Sequence, residues 1–493
     1  MSINPMHAQP LRLIIDKAVK GLPVFRFRCS ECDHFFETSL RPAVTSPLSL
    51  FKILNGKYKG AVAWETQCPA CNRNLTLSRD YVCNVAKADL LEFCRKIQFT
   101  TEDYTKLILN FFCIAESLYE ILDVILVKTR TDRIGHQVGN IAEYVAKINE
   151  EGKLANTLIF GVAQDSVANS YILDWWRTYV QFSFWTKDAY KTALQYKGLH
   201  KFTLDISENN QGEDGIEYMQ QTKARYMHFP WDFKFTEEEE KHAQAEMQRM
   251  GVDPHKPFVC FWGRDSAYLK HLLNKHYSYH DYRDMDIDTY IPSMKWLAAK
   301  GITSIRMGAV VEKKLSTSGT RIVDYASYHR SEFMDVYLSA KSLFCIAADT
   351  GVNLLPIFFH KIIGMVNYPI YNIPGAFLNK NRIFIFKKFK SIQNNAMISF
   401  KDCIKMKIAD LDWCVDMENQ STVQFLDNTP EEILDLVKEV YDLVNNHNVR
   451  EQEDSFQDIF HKLVNESIIR QLPFPPQSQI CHSFCMRNPW FLK

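Results

Sequence analysis

The chain has 493 residues, 46% of them hydrophobic and 24% charged, enough for about three domains of ordinary globular composition. Lys plus Arg and Asp plus Glu number 58 each, so the formal charge is zero and no chain-wide basic field exists to hold nucleic acid. The N-terminus lacks a basic region followed by a long apolar core, and the most apolar stretch, Leu107 to Val127, carries Glu116, Glu120 and Asp123. Neither a signal peptide nor a spanning helix is therefore expected, and the 13 cysteines are expected to be reduced.

In chain order, residues 1–85 read as a zinc-ribbon-like module. "FRCSECDHFF" holds Cys29 and Cys32, and "WETQCPACNRNL" holds Cys68 and Cys71. Each C-x-x-C can bend as a knuckle, and two knuckles offer four thiolates to one tetrahedral ion, as structural zinc requires. Unpaired thiols are the plainer alternative. Phe27, Phe35 and Trp64 flank the knuckles as packing residues. Residues 86–120 read as a helical connector of two helices.

From residue 121 strands and helices alternate, the mark of a parallel sheet covered by helices. An apolar strand runs into the polar turn around Arg133-Ile134-Gly135-His136. A helix follows, with Val138, Ile141, Ala142, Val145 and Ile148 at helical spacing. "NTLIFGVA" is a strand, "NSYILDWWRTYV" a helix and "VQFSFW" a further short strand. "HFPWDFKFT" reads as a link, closing an N-terminal domain at 121–232. "EEEEKHAQAEMQRMG" begins the next, at 233–450, as a helix with acids at its start and Gly251 at its end.

A second alternating series follows: "KPFVCFWGRDSAYL", "IDTYIPSMKWLAAKG", "ITSIRMG", "SEFMDVYLSAKS", "LFCIAADTG", "VNLLPIFFH" and "KIIGMVNYP". A late helix starts with a capping box from Thr429 to Glu432. Residues 451–493 read as a helix and an irregular tail, in which Cys481, His482 and Cys485 form a lesser metal-ligand set. Two doubly wound domains are thus expected, facing a cleft, with ligands at the carboxyl ends of the strands.

Three turns fall at such ends. Gly135 permits close approach of a substrate, Arg133 and Arg130 suit an anion, and His136 suits a general base near neutral pH. The alternative is a helix-capping histidine beside solvated arginines. Arg264 can meet phosphate oxygens as a two-pronged donor, with Asp265 or Ser266 orienting the turn, unless this is an ordinary surface loop. Asp349, Thr350 and Gly351 end a buried strand before a helix whose first amides can hold a diphosphate, and Asn353 adds a donor. A simple N-cap is the alternative there.

Taken together, "ADTGVNLLP" resembles the nucleotide-sugar region of GT-B glycosyltransferases, especially heptosyltransferase-like enzymes. Asp349, Thr350 and Gly351 match the D-T-G, while Leu354 stands where that pattern has a histidine. "GRD" resembles the Arg-Asp of the same domain. "RIGH" resembles an L-G-D turn, with His136 in the position of the catalytic acid residue. Over roughly residues 120 to 370 the ordered motifs Arg133 to His136, Arg264 to Leu269, Tyr279 to Asp284, Arg306 to Gly308 and Asp324 to Leu338 resemble a family of bacterial glycosyltransferases from polysaccharide-biosynthesis loci.

This resemblance implies two Rossmann-type domains and metal-independent, inverting transfer from a nucleotide-diphosphate sugar. The acceptor would be a glycan or a lipid-linked glycan, and His136 the base. Arg264, Asp265, Asp349, Thr350, Gly351 and Asn353 would serve the donor, with Arg306 and Arg283 as secondary donor residues, a buried structural arginine being the alternative for each. The expected location is cytoplasmic, with peripheral attachment at the inner face of a membrane where the acceptor is lipid-linked. Zinc is expected as a structural ion, and its ribbon as a site for a protein partner. The competing reading is a non-catalytic interaction protein on a degenerate GT-B scaffold.

Overall fold

The computed structural model describes residues 24–39, 41–42, 63–78, 124–128, 131–150, 158–162, 167–179, 184–185, 203–205, 229, 231, 233–265, 267, 270, 278–317, 319–369, 377, 379–408, 416–445, 455–467 and 476–493. The two connector helices expected within 86–120, together with Arg130, Ser266, Cys83 and Cys94, lie outside the described residues. The chain divides into two units, Met1–Glu208 and Asn209–Lys493. No helix among the described residues is long and apolar enough to cross a membrane.

In the first unit, β1 (Val24–Arg28) and β2 (Phe35–Ser39) form one hairpin, and β4 (Ala63–Gln67) pairs with β3 (Arg41–Pro42) and β5 (Asn74–Ser78). A four-stranded parallel sheet follows. It contains β6 (Val124–Lys128), β7 (Leu158–Val162), β8 (Phe184–Trp185) and β9 (Thr203–Asp205), in the order β8-β7-β6-β9. Helix α1 (Ile134–Glu150) follows β6 and buries the expected stripe of Val138, Ile141, Ala142, Val145 and Ile148. Helix α2 (Ser170–Tyr179) follows β7 and buries Trp176, whose indole N–H donates to the Gln137 carbonyl at 3.0 Å.

The second unit opens with Phe229, Trp231, Phe233 and Phe235 at every second position, packing within this unit against Phe358, Phe359 and Tyr337. Helix α3 (Glu237–Arg249) begins with a reciprocal capping box between Thr236 and Glu239 and stops at Gly251, whose φ of 74° suits glycine. Seven parallel strands form the core: β10 (Phe258–Trp262), β11 (Thr303–Met307), β12 (Ile322–Val323), β13 (Cys345–Ala347), β14 (Ile363–Tyr368), β15 (Arg382–Phe386) and a last strand from the tail. β10 to β14 are buried along their whole length, which suits the apolar runs of β10 and β13, while β11 buries Thr303, Ser304 and Arg306 as well.

Their order is β12-β11-β10-β13-β14-β15 and then the tail strand. The chain therefore builds outward from β10 to one side and then outward from β13 to the other. Helix α4 (Ile291–Ala299) connects β10 to β11, and α5 (Tyr325–Tyr328) and α6 (Glu332–Lys341) connect β12 to β13. Helix α7 (Leu354–Phe358) lies between β13 and β14. A small antiparallel sheet of β16 (Lys388–Ser391), β17 (Met397–Ile398) and β18 (Val423–Leu426) follows, with α8 (Phe400–Lys405) and α9 (Met417–Gln420) between the last two.

Helix α10 (Pro430–Asn445) carries the expected capping box: the Thr429 N–H donates to Glu432 Oε2 at 2.8 Å, and the Glu432 N–H to Thr429 Oγ1 at 3.3 Å. Glu432 also meets Lys388 at 2.8 Å and accepts from Asn488 at 2.8 Å, so one carboxylate joins a helix start, the small sheet and the tail. Breaking such a buried pair on one side typically costs about 3–5 kcal/mol. Residues 476–493 of the tail are ordered rather than irregular. After α11 (Ser455–Ser467), β19 (Gln479–Ile480) joins the sheet edge beside β15, and α12 (His482–Arg487) with Phe491 covers Phe386 and Phe400. Its cysteines are core residues: Cys485 is buried and the buried Cys481 thiol donates to Glu439 at 3.1 Å.

Asp335 on α6 is 3% exposed, accepts from the Tyr325 hydroxyl and pairs with Arg330. Burial still outweighs these partners and pushes its carboxyl up to about 6. Folding thus favours its protonated form, and the stabilisation is full below the unfolded pKa and lost as pH rises through about 6. Between pH 4 and pH 7, the difference in unfolding free energy between wild type and Asp335→Asn should fall by ~2 kcal/mol. Urea titrations across that range check this, and a flat difference refutes it.

Candidate functional site

In the seven-stranded sheet the direction of winding reverses between β10 and β13, so the loops leaving these two neighbours diverge and open a crevice at their carboxyl ends. Gly263 follows β10. A side chain there would meet Ile287 at 2.6 Å, which accounts for the glycine. Arg264 comes next, with its side chain 12% exposed, and its Nε donates to Asp284 Oδ1 at 3.0 Å. Burial, then the charge of Arg283, brings Arg264 down to about 10, and burial pushes Asp284 up to about 6. Both partners move toward their neutral forms, so desolvation outweighs their attraction, as expected for charges withdrawn from water. Asp265 accepts from the Ala267 and Glu312 N–H groups, each at 3.0 Å, and ties the turn to the loop after β11.

On the other side of the crevice, β13 leads into Asp349-Thr350-Gly351. Arg283 Nη2 donates to the Asp349 carbonyl at 2.9 Å and lies 2.9 Å from its carboxylate. Thr350 is half-buried and Gly351 exposed. The expected helix is short, a 3-10 turn over Gly351–Asn353 followed by the five residues of α7. A helix this short carries little macrodipole, so positive charge here rests on the guanidiniums. Asn353 is 5% exposed, and its amide donates inward to the Ala348 carbonyl at 2.7 Å. The donor group expected of it is engaged in holding the turn.

Arg306 is likewise internal. It is 3% exposed, and it donates to Asp324 at 3.0 Å, Ser327 at 3.3 Å and the Lys313 carbonyl at 3.0 Å. The structure therefore gives it a bracing role for the loop between β11 and β12 instead of the expected donor contact.

In the first unit the winding reverses between β6 and β9, and the opening turn follows β6. Thr131 and Asp132 are buried, and the Thr131 carbonyl accepts from Ala168 at 2.8 Å. Arg133 and Gly135 are half-buried at the start of α1. His136 lies in the first turn of α1, half-buried, with Nδ1 3.2 Å from the Asn140 side-chain amide. The contact atom is the amide nitrogen Nδ2, which donates to Nδ1, so in this arrangement the neutral ring carries its proton on Nε2 and a base at Nε2 needs the Asn140 amide turned over.

The four cysteines converge. All four sulfurs lie within 4.8 Å of one another, with Cys29 and Cys71 3.7 Å apart and Cys32 and Cys68 also 3.7 Å apart. Tetrahedral thiolates at zinc distance would be ~3.8 Å apart, so the donor set fits such an ion. The knuckles repeat one geometry. The Asp33 N–H donates to the Cys29 carbonyl and the Asn72 N–H to the Cys68 carbonyl, each at 2.9 Å. Asp33 and Asn72 adopt φ of 62° and 56°, which these residue types tolerate. Arg73 and Glu31 join the knuckles at 2.7 Å. Among the described residues this is the one cluster of metal-ligating side chains.

Lys387 escaped the sequence reading because "FKKFK" resembles a strand end. Its buried Nζ donates to the Tyr282 carbonyl at 2.6 Å and pairs with Asp427 at 2.7 Å, fixing the segment that carries Arg283 and Asp284. Asn140 was legible in principle, four residues after His136 on one helix face.

No protein-family model and no curated protein matches the chain. Among solved structures, a glycosyl transferase family 9 protein from Veillonella parvula matches 64% of this chain and 96% of its own, at 9% identity and TM-score 0.40. The E. coli ADP-heptose LPS heptosyltransferase II matches 64% and 98%, at 9% identity and TM-score 0.38. The dodecameric iron-containing heptosyltransferase TibC, in complex with ADP-D-beta-D-heptose, matches 66% and 76%, at 12% identity and TM-score 0.34. These scores are too low to carry a functional reading, which rests instead on the sheet order and the residues at its reversal.

Removing a bound ion with a chelator, or changing Cys68→Ser, should release amide-exchange protection across 24–39 and 63–78 while leaving β10–β15 protected. Unchanged protection in the cysteine segments would exclude a structural ion.

Proposed function

We propose that the chain is a heptosyltransferase-like glycosyltransferase of the GT-B type, taking a nucleotide-diphosphate sugar as donor. The observation that carries this reading is the pair of partly buried arginines beside a turn of half-buried Thr350 and exposed Gly351 where the strand order reverses. Arg264 and the turn at Asp349, Thr350 and Gly351 receive the diphosphate. Fixed guanidinium charge in a partly dehydrated crevice favours the leaving diphosphate, which carries one more negative charge than the donor diester it came from. Asp265 keeps the Arg264 turn in place.

His136 removes the acceptor hydroxyl proton as that oxygen attacks the anomeric carbon, with inversion. Imidazole is the side chain whose ordinary titration range suits proton abstraction at neutral pH. Arg133 and Gly135 shape the acceptor side, and the acceptor is a glycan or lipid-linked glycan of surface-polysaccharide synthesis. Zinc at Cys29, Cys32, Cys68 and Cys71 is structural: it cross-links two hairpins and enters no chemical step. The ribbon is also the surface for a protein partner. The work is cytoplasmic, at the inner face of a membrane where the acceptor is lipid-linked.

Thermal shift against a panel of nucleoside diphosphates and their sugars tests the donor site. Stabilisation by one nucleoside class should vanish in Arg264→Ala and Asp349→Ala. A folded wild type that shifts with none of the panel would favour the non-catalytic alternative, for which Leu354 at the usual histidine position speaks. With a donor in hand, His136→Ala should lower turnover by ~10²–10⁴-fold with donor affinity nearly kept. Unchanged turnover removes it as the base.

A further inference from the structure

Arg264 and Arg283 approach the crevice from different parts of the segment between β10 and α4: Arg264 directly after β10, and Arg283 at the end of the 3-10 turn Ser278–Arg283. Each is held by one carboxylate. Arg264 donates through Nε alone, to Asp284, and Arg283 through Nη2 alone, to Asp349. A guanidinium has five N–H donors in a fixed fork. Among the described residues, both Nη groups of Arg264 and the Nη1 of Arg283 therefore have no protein acceptor, and the Arg283 Nε is buried with none. Side chains 12% and 20% exposed offer little room for water to compensate. The two cations also repel, since the charge of Arg283 lowers the pKa of Arg264. Unfilled forks beside like charges are the conditions under which an anion binds well.

We propose that Arg283 is the second phosphate-binding guanidinium of this crevice. Arg264 and Arg283 each take one phosphoryl group, and Asp284 and Asp349 are braces for the arginines and make no contact with the ligand. The site accordingly prefers a diphosphate to a monophosphate. This deepens the donor reading above and rests on it for the nucleoside, while the anion site itself stands on the arginines. It also changes what Asp349 does: within the turn it aims Arg283, and the small residues after it leave space for the ligand.

Calorimetric titration of the full chain tests this with inorganic pyrophosphate, orthophosphate, and matched nucleoside di- and monophosphates (ADP/AMP, UDP/UMP, GDP/GMP, CDP/CMP). Wild type should bind diphosphates more tightly than the matching monophosphates. Arg283→Met should weaken diphosphate binding by ~10–100-fold and bring the diphosphate-to-monophosphate ratio near one, the loss expected for one charge-assisted fork. Arg283→Lys, which keeps the charge but loses the fork, should fall between the two and decides the matter if the methionine variant does not fold. Asp349→Asn should cost less than Arg283→Met, because Arg283 is loosened but present.

Diphosphate binding in Arg283→Met equal to wild type, or equal losses of mono- and diphosphate, overturns the assignment of Arg283. Pyrophosphate binding that depends on Arg283, with no nucleotide bound at all, keeps the anion site and sinks the donor reading. Absence of every diphosphate from wild type sinks both.

Discussion

Everything chemical in the second unit depends on one reversal. β10 starts its sheet at the centre, β11 and β12 extend one side, and β13 returns to pair with β10 on the other. Parallel strands need crossover connections, and these keep one hand. Changing sides therefore separates the loops that leave β10 and β13 while their strands stay bonded. The carbonyl of Trp262 marks the junction, accepting from Ala348 at 2.9 Å and from the Tyr290 hydroxyl at 3.0 Å. Arg264 and Asp349 stand two residues beyond the ends of these strands, on the loops that the reversal separates.

That space has an energetic character. Arg264, Asp284 and Lys387 are charged groups in a partly dry environment, and burial displaces both members of the Arg264–Asp284 pair toward neutrality. Each is kept by a specific contact: Lys387 by Asp427 and two carbonyls, Arg283 by Asp349, Arg264 by Asp284. Replacing such groups by apolar ones of the same volume is often neutral or stabilising in proteins. A fold that retains them at a sheet's open end, and surrounds them with Phe and Tyr, is organised around something other than its own stability.

The sequence was informative wherever a feature is local. Helical spacing found α1, the Thr429–Glu432 pattern found the start of α10, and paired C-x-x-C spacing found a cluster whose sulfurs do converge. The three turns could be placed at strand ends because apolar runs stop there. Long-range partnerships were invisible. Nothing near Arg306 in sequence shows that Asp324, Ser327 and the Lys313 carbonyl close around it. Asn353 looks like a free donor until the bond to Ala348 is known. The helix expected over 352–360 starts as a 3-10 turn and ends at Phe358, and the chain turns at His360 with φ of 55°. In the tail, the order of residues 476–493 comes from the edge of β15, a partner distant in sequence.

The late arrival of β19 has a consequence for assembly. Phe384 pairs with Ile480, so the outermost strand is supplied by a segment that lies after the small sheet, α10 and α11 in the chain. Contacts this far apart carry a large loop-closure cost, and sheets built from them form slowly. Without the tail, β15 would present a bare, strongly apolar edge, the kind of surface through which chains pair with one another instead of with themselves. The tail therefore protects its own sheet by covering that edge.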